Sequence, residues 1–268
     1  MTYKGLIIIM LTAVIVAGLA SFTMRGEPDG GLSVAVPGTD FKIDLVLVRA
    51  GSFTMGATAE QGDKTNYAHP VHQVTLTQDY YIATTEVTQG LYQAVMGENP
   101  SRNALGPDYP VDGVNYDDAL RFCQRLSELT GRRFGLPTEA QWEYAARGGH
   151  KAPKQQTPYV GSANIGSVCW YDHNASAKPH PVAQKQPNAL GLYDMSGNVW
   201  EWCLDWYDDY TSAPQTDPTG PARGAMRVSR GGSWCNGSRF ARLANRDSVI
   251  PNTKDPCLGF RLVMLPEE

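Results

Sequence analysis

The sequence has few charged side chains and no cluster of positive charge. Asp, Glu, Lys and Arg make up 19% of the 268 residues, and the formal net charge is -4. A surface that binds nucleic acid requires clustered Lys and Arg, so no nucleic-acid partner is expected. A Ser-His-Asp arrangement, a glycine-rich phosphate loop, a paired-carboxylate motif and an internal repeat are also lacking. The common hydrolytic and nucleotide-binding mechanisms therefore have no motif in this sequence.

Aromatic residues, glycine and proline are abundant instead. The 27 Gly and 18 Pro residues favour loops, and the 6 Trp and 13 Tyr residues supply large side chains for a core. The length, less an exported leader, fits a single large domain. The composition therefore predicts a loop-rich domain with modest regular structure.

The N-terminus begins with an apolar run. Lys4 precedes the uncharged residues 5–20, and Gly18-x-Ala20 offers the small residues that a signal peptidase requires. We interpret residues 1–24 as a signal peptide or, if uncleaved, an N-terminal membrane anchor. Residues 25–40 are predicted to be a linker, and residues 41–268 the folded domain. The protein is expected to be exported to the periplasm or cell envelope, with membrane contact only through an uncleaved N-terminal segment.

Strand-like and helical segments then alternate. Residues 45–48 and 73–82 are rich in strand-forming side chains. Three helices are predicted, each beginning at a capping residue and ending near a glycine: Thr88 to Gly97, Asn115 to Gly131, and Thr138 to Gly148. Long loops and short strands around Val228 and Phe260 follow, so we expect an α+β fold.

The most informative stretch is the segment Asn188-Ala-Leu-Gly-Leu-Tyr-Asp-Met-Ser-Gly-Asn-Val-Trp-Glu-Trp202. The carboxylates of Asp194 and Glu201 and the carbonyl oxygens of Gly197 and Val199 are hard donors of the kind that calcium prefers. The alternative is a tight turn capped by its own Asp and Asn. At least one of the two tryptophans is expected to be nearly fully buried.

This central segment resembles the central motif of the formylglycine-generating-enzyme family, also called sulfatase-modifying factors. Five further matching segments occur in the same order along the chain: Gly51-Ser-Phe-x-Met-Gly56, Glu86-Val-Thr88, Leu136-Pro-Thr-Glu-Ala-Gln-Trp-Glu-Tyr-Ala-Ala-Arg-Gly-Gly149, Arg230-Gly-Gly-Ser-Trp234 and Leu258-Gly-Phe-Arg-Leu262. The resemblance implies a single-domain, elaborated C-type-lectin-like fold. It also implies calcium at the central motif, while the fold alone does not fix an activity.

The resemblance implies that active relatives oxidise a cysteine in a Cys-x-Pro-x-Arg peptide with oxygen, using copper(I) held by two cysteines after the Gly-Gly-Ser motif. Here Ser233 is followed by Cys235, and no second cysteine stands in the matching region. Copper(I) prefers soft thiolate ligands, so it is not an expected cofactor. The remaining candidate partner is Cys257, and we predict that Cys235 and Cys257 are either bridged or too far apart to share an ion.

Two weaker features stand outside this motif. Asn164-Ile165 resembles the start of the second calcium site of the family. Asp205, Asp208 and Asp209, interleaved with aromatic residues, form an acidic aromatic patch, which a solvated loop over buried rings explains equally well.

Two classes of function remain open. In the first, a calcium-stabilised exported domain uses a groove near Ser233, Trp234, Cys235 and Arg239 to bind an envelope peptide or polymer, or to carry out a family oxidation that does not need the thiol pair. In the alternative, the protein is a copper-dependent formylglycine-generating oxidoreductase that converts a sulfatase cysteine. The missing second thiol favours the first class.

Overall fold

The computed structural model describes residues 30–64 and 66–265, so the predicted leader lies outside the described residues. The strands, numbered in chain order, are β1 (Gly31–Ala35), β2 (Lys42–Val48), β3 (Gly51–Met55), β4 (His72–Leu76), β5 (Tyr80–Ala83), β6 (Arg133–Gly135), β7 (Cys169–Trp170), β8 (Ser196–Gly197), β9 (Trp200–Trp206), β10 (Gln215–Thr216), β11 (Arg227–Arg230), β12 (Arg246–Val249), β13 (Leu258–Gly259) and β14 (Val263–Leu265). The helices are α1 (Gln89–Met96), α2 (Tyr116–Thr130), α3 (Glu139–Ala146) and α4 (Ile165–Val168). No helix in this described part is long and apolar enough to cross a membrane.

Short sheets organise the domain. The largest has the antiparallel strand order β1-β2-β5-β14-β6, which places the last strand between two that come much earlier in the chain. A second sheet, β12-β11-β9-β13, carries the end of the central motif, and smaller sheets join β10-β4-β3 and β7-β8. Sheets, few helices and long loops in one domain confirm the predicted α+β class.

The predicted linker is wrong for residues 31–35. These residues form β1, which pairs antiparallel with β2 over its whole length. Leu32 and Val34 alternate along this strand and pack against the main core, and a half-buried edge strand needs no more than this alternation. The glycines and prolines on either side concealed the strand in the sequence.

The helix limits follow the predicted capping residues. The Thr88 hydroxyl accepts the backbone N–H of Leu91 at the start of α1. Asn115 and Thr138 open α2 and α3 with reciprocal capping boxes. Each box satisfies two backbone donors that a helix start leaves unpaired. These three predictions are confirmed.

The segment predicted as one strand over residues 73–82 is divided. β4 pairs with β3 in one sheet, whereas β5 pairs with β2 in another. Between them Asp79 accepts the backbone N–H of Ala50 at 2.7 Å. This contact fixes a turn that composition alone does not indicate.

The prediction for the paired tryptophans is confirmed. Trp202 is 0% exposed and Trp200 is 7% exposed. The indole N–H of Trp202 donates to the carbonyl oxygen of Val114 at 3.1 Å, and its ring meets Tyr116 edge-on at 5.8 Å. Trp202 therefore fastens β9 to the segment that leads into α2.

Replacing Trp202 with alanine should lower the free energy of unfolding by about 3–5 kcal/mol, because it leaves a large cavity and an unpaired carbonyl. Chemical denaturation measures this loss. The matched control is Tyr67→Ala, whose side chain is 71% exposed and whose loss should stay within about 0.5 kcal/mol. Equal losses for the two variants would contradict the assignment of Trp202 to the core.

Candidate functional site

The central motif forms a tight turn with left-handed backbone. Asp194, Gly197 and Asn198 have φ angles of 57°, 85° and 60°, a region that Gly, Asn and Asp tolerate best. A Cβ atom at Gly197 would collide with the sulfur of Cys169 and the carbonyl oxygen of Trp170. The sequence therefore places short polar residues and glycine where the turn requires them.

Glu201 lies below this turn and is fully buried. Arg261 donates to its two carboxylate oxygens at 2.9 and 2.8 Å, and the indole N–H of Trp142 donates to Oε2 at 2.6 Å. Such bidentate, charge-assisted contacts are among the strongest in proteins. The structure thus gives this predicted calcium ligand a guanidinium partner of its own.

Glu86 supports the turn from the opposite side. Its Oε1 accepts the backbone N–H of Val199 at 3.0 Å, and its Oε2 accepts the side-chain N–H of Asn198 at 2.7 Å. The sequence analysis placed Glu86 in a segment that resembles the family but did not include it among the site residues. Its buried carboxylate faces the central turn and belongs to this site.

Negative charge exceeds positive charge at the turn. Three buried carboxylates, Glu86, Asp194 and Glu201, interact electrostatically with Arg261, and Asp194 also interacts with Lys185. One negative charge is therefore unbalanced when all five groups are ionised. Burial raises the pKa of Glu86 well above its usual range and that of Asp194 to about 6. A bound cation would relieve this repulsion, as would protons.

Asp194 has a free oxygen. Its Oδ2 accepts the backbone N–H of Ala183 at 2.7 Å, whereas its Oδ1 is buried without a hydrogen-bond partner. Buried polar atoms are rarely left unpaired. An orphaned carboxylate oxygen beside excess negative charge fits a hard cation such as calcium.

The residues at the turn therefore fit calcium, with Asp194 as the principal acidic ligand. Within residues 30–64 and 66–265, no three His, Cys, Asp or Glu side chains are grouped to hold a metal ion. A calcium ion would accordingly need the backbone carbonyls of Gly197 and Val199 and could share the carboxylate of Glu201 with Arg261. Its contribution would be structural, because it would neutralise charge and fix the turn.

The proposed second calcium site has a different character. Asn164 caps α4, and the carbonyl oxygens of Asn164 and Ile165 accept backbone N–H groups within that turn. The ammonium group of Lys185 donates to the carbonyl oxygen of Gly166 at 2.7 Å. The chain itself thus supplies a cation at this turn, and no orphaned oxygen singles it out for calcium.

Cys235 is bridged to Cys257, with Cα atoms 6.7 Å apart. We predicted that these two cysteines are either bridged or too far apart to share an ion, and the structure shows that they are bridged. Ser233 is buried; its hydroxyl lies 3.3 Å from the sulfur of Cys235 and donates to the amide oxygen of Asn236. The indole N–H of Trp200 donates to that same oxygen at 2.8 Å.

The disulfide does not fit copper(I). Bridged sulfurs are not thiolates, and copper(I) requires soft thiolate ligands. The other cysteines, Cys123, Cys169 and Cys203, are all buried. Burial raises the pKa of Cys123 to about 12 and also raises the pKa values of the other two thiols. No copper step can be derived from these residues.

Arg239 lines a groove of about 660 Å³ beside the disulfide. We call this the Arg239 groove, and its other members used below are Tyr67, Tyr207, Asp209, Phe240 and Asp247. A smaller hollow of about 230 Å³ at Cys235 and Cys257 adjoins it and shares Asp247. Trp234, expected in the groove, instead packs on the main core and donates to the carbonyl oxygen of Pro256 at 3.3 Å. The predicted groove residues are thus only partly brought together.

The fold and the buried central motif define a class of protein, and comparison with known proteins identifies it. The profile of the sulfatase-modifying factor enzyme 1-like domain matches residues 37–265, and this chain belongs to that family. It is 32% identical to the chaperone protein LppX of Paenibacillus barcinonensis over 97% of this chain and 98% of that protein. It is 38% identical to the formylglycine-generating enzyme of Streptomyces coelicolor over 58% of this chain and 52% of the enzyme. The chain thus matches about half the length of that enzyme.

Solved structures agree. Treponema denticola variable protein 1 superposes with a TM-score of 0.77 at 31% identity, and the match covers 88% of this chain and 99% of the Treponema protein. PvdO from Pseudomonas aeruginosa gives a TM-score of 0.73 at 28% identity, and the match covers 87% of this chain and 100% of PvdO. The predicted elaborated C-type-lectin-like fold of this family is confirmed.

If calcium binds at the central turn, it should stabilise the folded state by mass action. A concentration 100-fold above the dissociation constant should raise the free energy of unfolding by about 2.7 kcal/mol, and a chelator should reverse the gain. Asp194→Asn should remove most of the effect, because it replaces the unpaired carboxylate oxygen and its charge with a neutral amide group. The variant should still fold, because asparagine keeps the oxygen that accepts the Ala183 N–H and tolerates the left-handed backbone.

The control is Asp40→Asn, at an exposed position between β1 and β2, which should respond to calcium like the wild type. Thermal unfolding with and without chelator provides the measurement. Identical melting curves for the wild type under both conditions would refute the calcium assignment.

Proposed function

We propose that this chain is an exported, calcium-stabilised module that binds polypeptide segments in the cell envelope and does not carry out copper-dependent thiol oxidation. The observation that carries the proposal is the Cys235–Cys257 disulfide beside the Arg239 groove. Formylglycine formation by the two-thiol route requires free thiolates at this place. Here the only cysteine of the loop after the Gly-Gly-Ser motif is consumed in a structural bond.

The disulfide also supports export. Disulfides form and persist mainly in oxidising compartments such as the periplasm and cell exterior. Cys235 is exposed, while Cys257 is 5% exposed, so the bond ties a surface residue to a buried one. The uncharged residues 5–20 after Lys4 provide an independent argument for an export signal.

The chemistry of the Arg239 groove suits a polypeptide. The ring of Tyr67 is 71% exposed, Tyr207 and Phe240 are half-buried, and Arg239 stacks on the Phe240 ring at 4.5 Å. Tyrosine and arginine, like tryptophan, are enriched among the residues that contribute most binding energy at protein interfaces. Asp209 and Asp247 add acidic groups, so the groove can contact backbone, aromatic and basic side chains of a bound segment.

The relation to LppX supports the same class of ligand. That relative is named a chaperone protein, and the similarity extends over nearly the full length of both chains. A chaperone acts on polypeptides. If this chain shares such a role, it would use the fold of the family without needing the oxidase thiol pair.

Binding can be measured with a fluorescently labelled non-native polypeptide, reduced and carboxymethylated α-lactalbumin. Tyr67→Ala and Arg239→Ala should each weaken binding about tenfold, as truncation of a hot-spot residue does. Arg125→Ala is the matched control, because Arg125 is 54% exposed on α2 and lies outside the groove. Unchanged affinity in both groove variants would contradict the proposed surface.

A second experiment separates this function from the alternative oxidase. The purified protein, supplied with copper(I) and a Cys-x-Pro-x-Arg peptide, should neither consume oxygen nor convert the peptide cysteine to formylglycine. Protein pretreated with a reductant should behave in the same way, because Cys257 lies outside the loop after the Gly-Gly-Ser motif, in which the resemblance places both cysteines of the active relatives. Conversion above that of a Cys235→Ser variant would restore the copper-dependent formylglycine-generating function.

A further inference from the structure

The Arg239 groove runs along the free edge of a sheet. β12 is the end strand in the order β12-β11-β9-β13, and its partner in that sheet is β11. Consecutive residues 245–248 all line the groove. Successive side chains of a strand point to opposite faces, so a site on one face touches every second residue. A groove that touches consecutive residues therefore follows the strand along its open edge.

The smaller hollow at the disulfide shows the contrasting pattern. It touches Asp247 and Val249 of β12, which point to the same face of the sheet. Ser229, which pairs with Asp247 across the ladder, lines the same hollow, as expected for paired residues of neighbouring strands. The hollow thus lies against one face of the sheet, whereas the groove lies beside its edge.

The outer edge of β12 carries backbone groups that β11 does not use. In an antiparallel ladder every second residue turns its N–H and C=O towards the partner strand, and the residues between turn them outward. The backbone N–H of Ser248 donates to the Asp247 carboxylate at 2.8 Å, which places Ser248 among the outward residues. Arg246, two positions earlier, turns the same way. No loop N–H in the described part of the chain donates to the carbonyl oxygen of either residue.

An edge of this kind accepts a further strand. An extended polypeptide presents N–H and C=O groups at the spacing that the edge requires. Exposed apolar side chains accompany the edge: Tyr67 lines the groove and is 71% exposed, and Ile250 follows β12 and is 56% exposed. In the free protein the Asp247 carboxylate covers one outward N–H, and charged side chains commonly protect free edges in this way.

We propose that a polypeptide segment binds in the Arg239 groove as an added strand on β12, through backbone hydrogen bonds to Arg246 and Ser248. The proposal rests on the polypeptide-binding function and specifies how the segment is recognised. Main-chain hydrogen bonds supply the affinity in this mode, so many sequences can bind. The residue opposite Asp247 should be basic, because opposite charges across a ladder attract and the described lining of the disulfide hollow, on that face, includes no Lys or Arg.

The first experiment compares two N-methylated peptides. The parent probe is a fluorescein-labelled hexapeptide, Lys-Val-Lys-Val-Lys-Val, and fluorescence anisotropy at low salt measures its binding to the full chain. One derivative is N-methylated at every lysine and the other at every valine. Methylation removes the backbone donors from one edge of an extended peptide and leaves its side chains unchanged. Strand addition uses one edge, so one derivative should bind like the parent and the other about tenfold more weakly or worse.

The same comparison gives the direction of the added strand. With lysine opposite Asp247, antiparallel addition excludes the valine-methylated peptide, and parallel addition excludes the lysine-methylated one. Equal affinities of the two derivatives, or no binding of the parent peptide, would overturn the proposal.

Ser248→Pro tests the edge from the side of the protein. Proline removes the outward N–H and places its ring on the edge, and edge strands tolerate proline where the N–H would face away from the sheet. The parent peptide should bind this variant about tenfold more weakly. Ser248→Ala is the matched control, because it keeps the N–H and should bind like the wild type. If Ser248→Pro does not fold, the methylated peptides decide, because they are measured on the wild-type chain.

The outcomes separate this inference from the proposed function. If Tyr67→Ala and Arg239→Ala weaken the binding of labelled α-lactalbumin while both methylated peptides bind equally, the groove binds polypeptides in another way and strand addition alone is refuted. If α-lactalbumin does not bind the wild type, the polypeptide-binding function fails as well. Sedimentation tests the other possible occupant: a dimer that Ser248→Pro disrupts would overturn the proposal, because a second copy of this chain would then cover the edge.

Discussion

The Glu201–Arg261 ion pair holds the centre of this domain. Arg261 donates to both carboxylate oxygens and also to the carbonyl oxygens of Ala83 and Tyr193 at 2.9 and 2.7 Å. Trp142 donates to the same carboxylate from α3. Both charged side chains are 0% exposed, and removal of one partner from such a pair costs about 3–5 kcal/mol because the other charge stays buried. The arrangement of α3, β9, β5 and the segment after β13 therefore depends on this one pair.

A second buried network joins the remaining motifs. The carboxylate of Glu143 accepts the backbone N–H of Gly56 at 2.8 Å and the guanidinium groups of Arg147 and Arg230 at 2.8 and 2.5 Å. Glu86 in turn holds the central turn. The six segments that identify the family thus supply the partners of a few buried carboxylates. Because a buried charged group is costly without a partner, a substitution in one of these segments affects residues in the others.

The local features of the fold were predictable from the sequence, and the long-range partners were not. Thr88, Asn115 and Thr138 each act on residues three positions away, so their capping roles follow from spacing alone. The role of Glu86 depends on residues more than a hundred positions later in the chain, which no local pattern encodes. The Arg239 groove likewise combines residues from Tyr67 to Asp247. The linker prediction failed at β1 because a short edge strand needs only two inward side chains, and flanking glycines outweighed them.

The central turn and the disulfide loop are mechanically connected, which relates stability to binding. The backbone N–H of Trp234 donates to the carbonyl oxygen of Asn198 at 2.8 Å, and that of Trp200 donates to the carbonyl oxygen of Cys257 at 2.7 Å. Asn236, one residue after Cys235, accepts the indole N–H of Trp200. The proposed calcium ion would fix Asp194 and the turn, and these bonds would carry that order to both sides of the disulfide. In a domain without the thiol pair, a calcium site would therefore still serve the shape of the groove, because the ion and the disulfide would restrain the same loops from opposite ends.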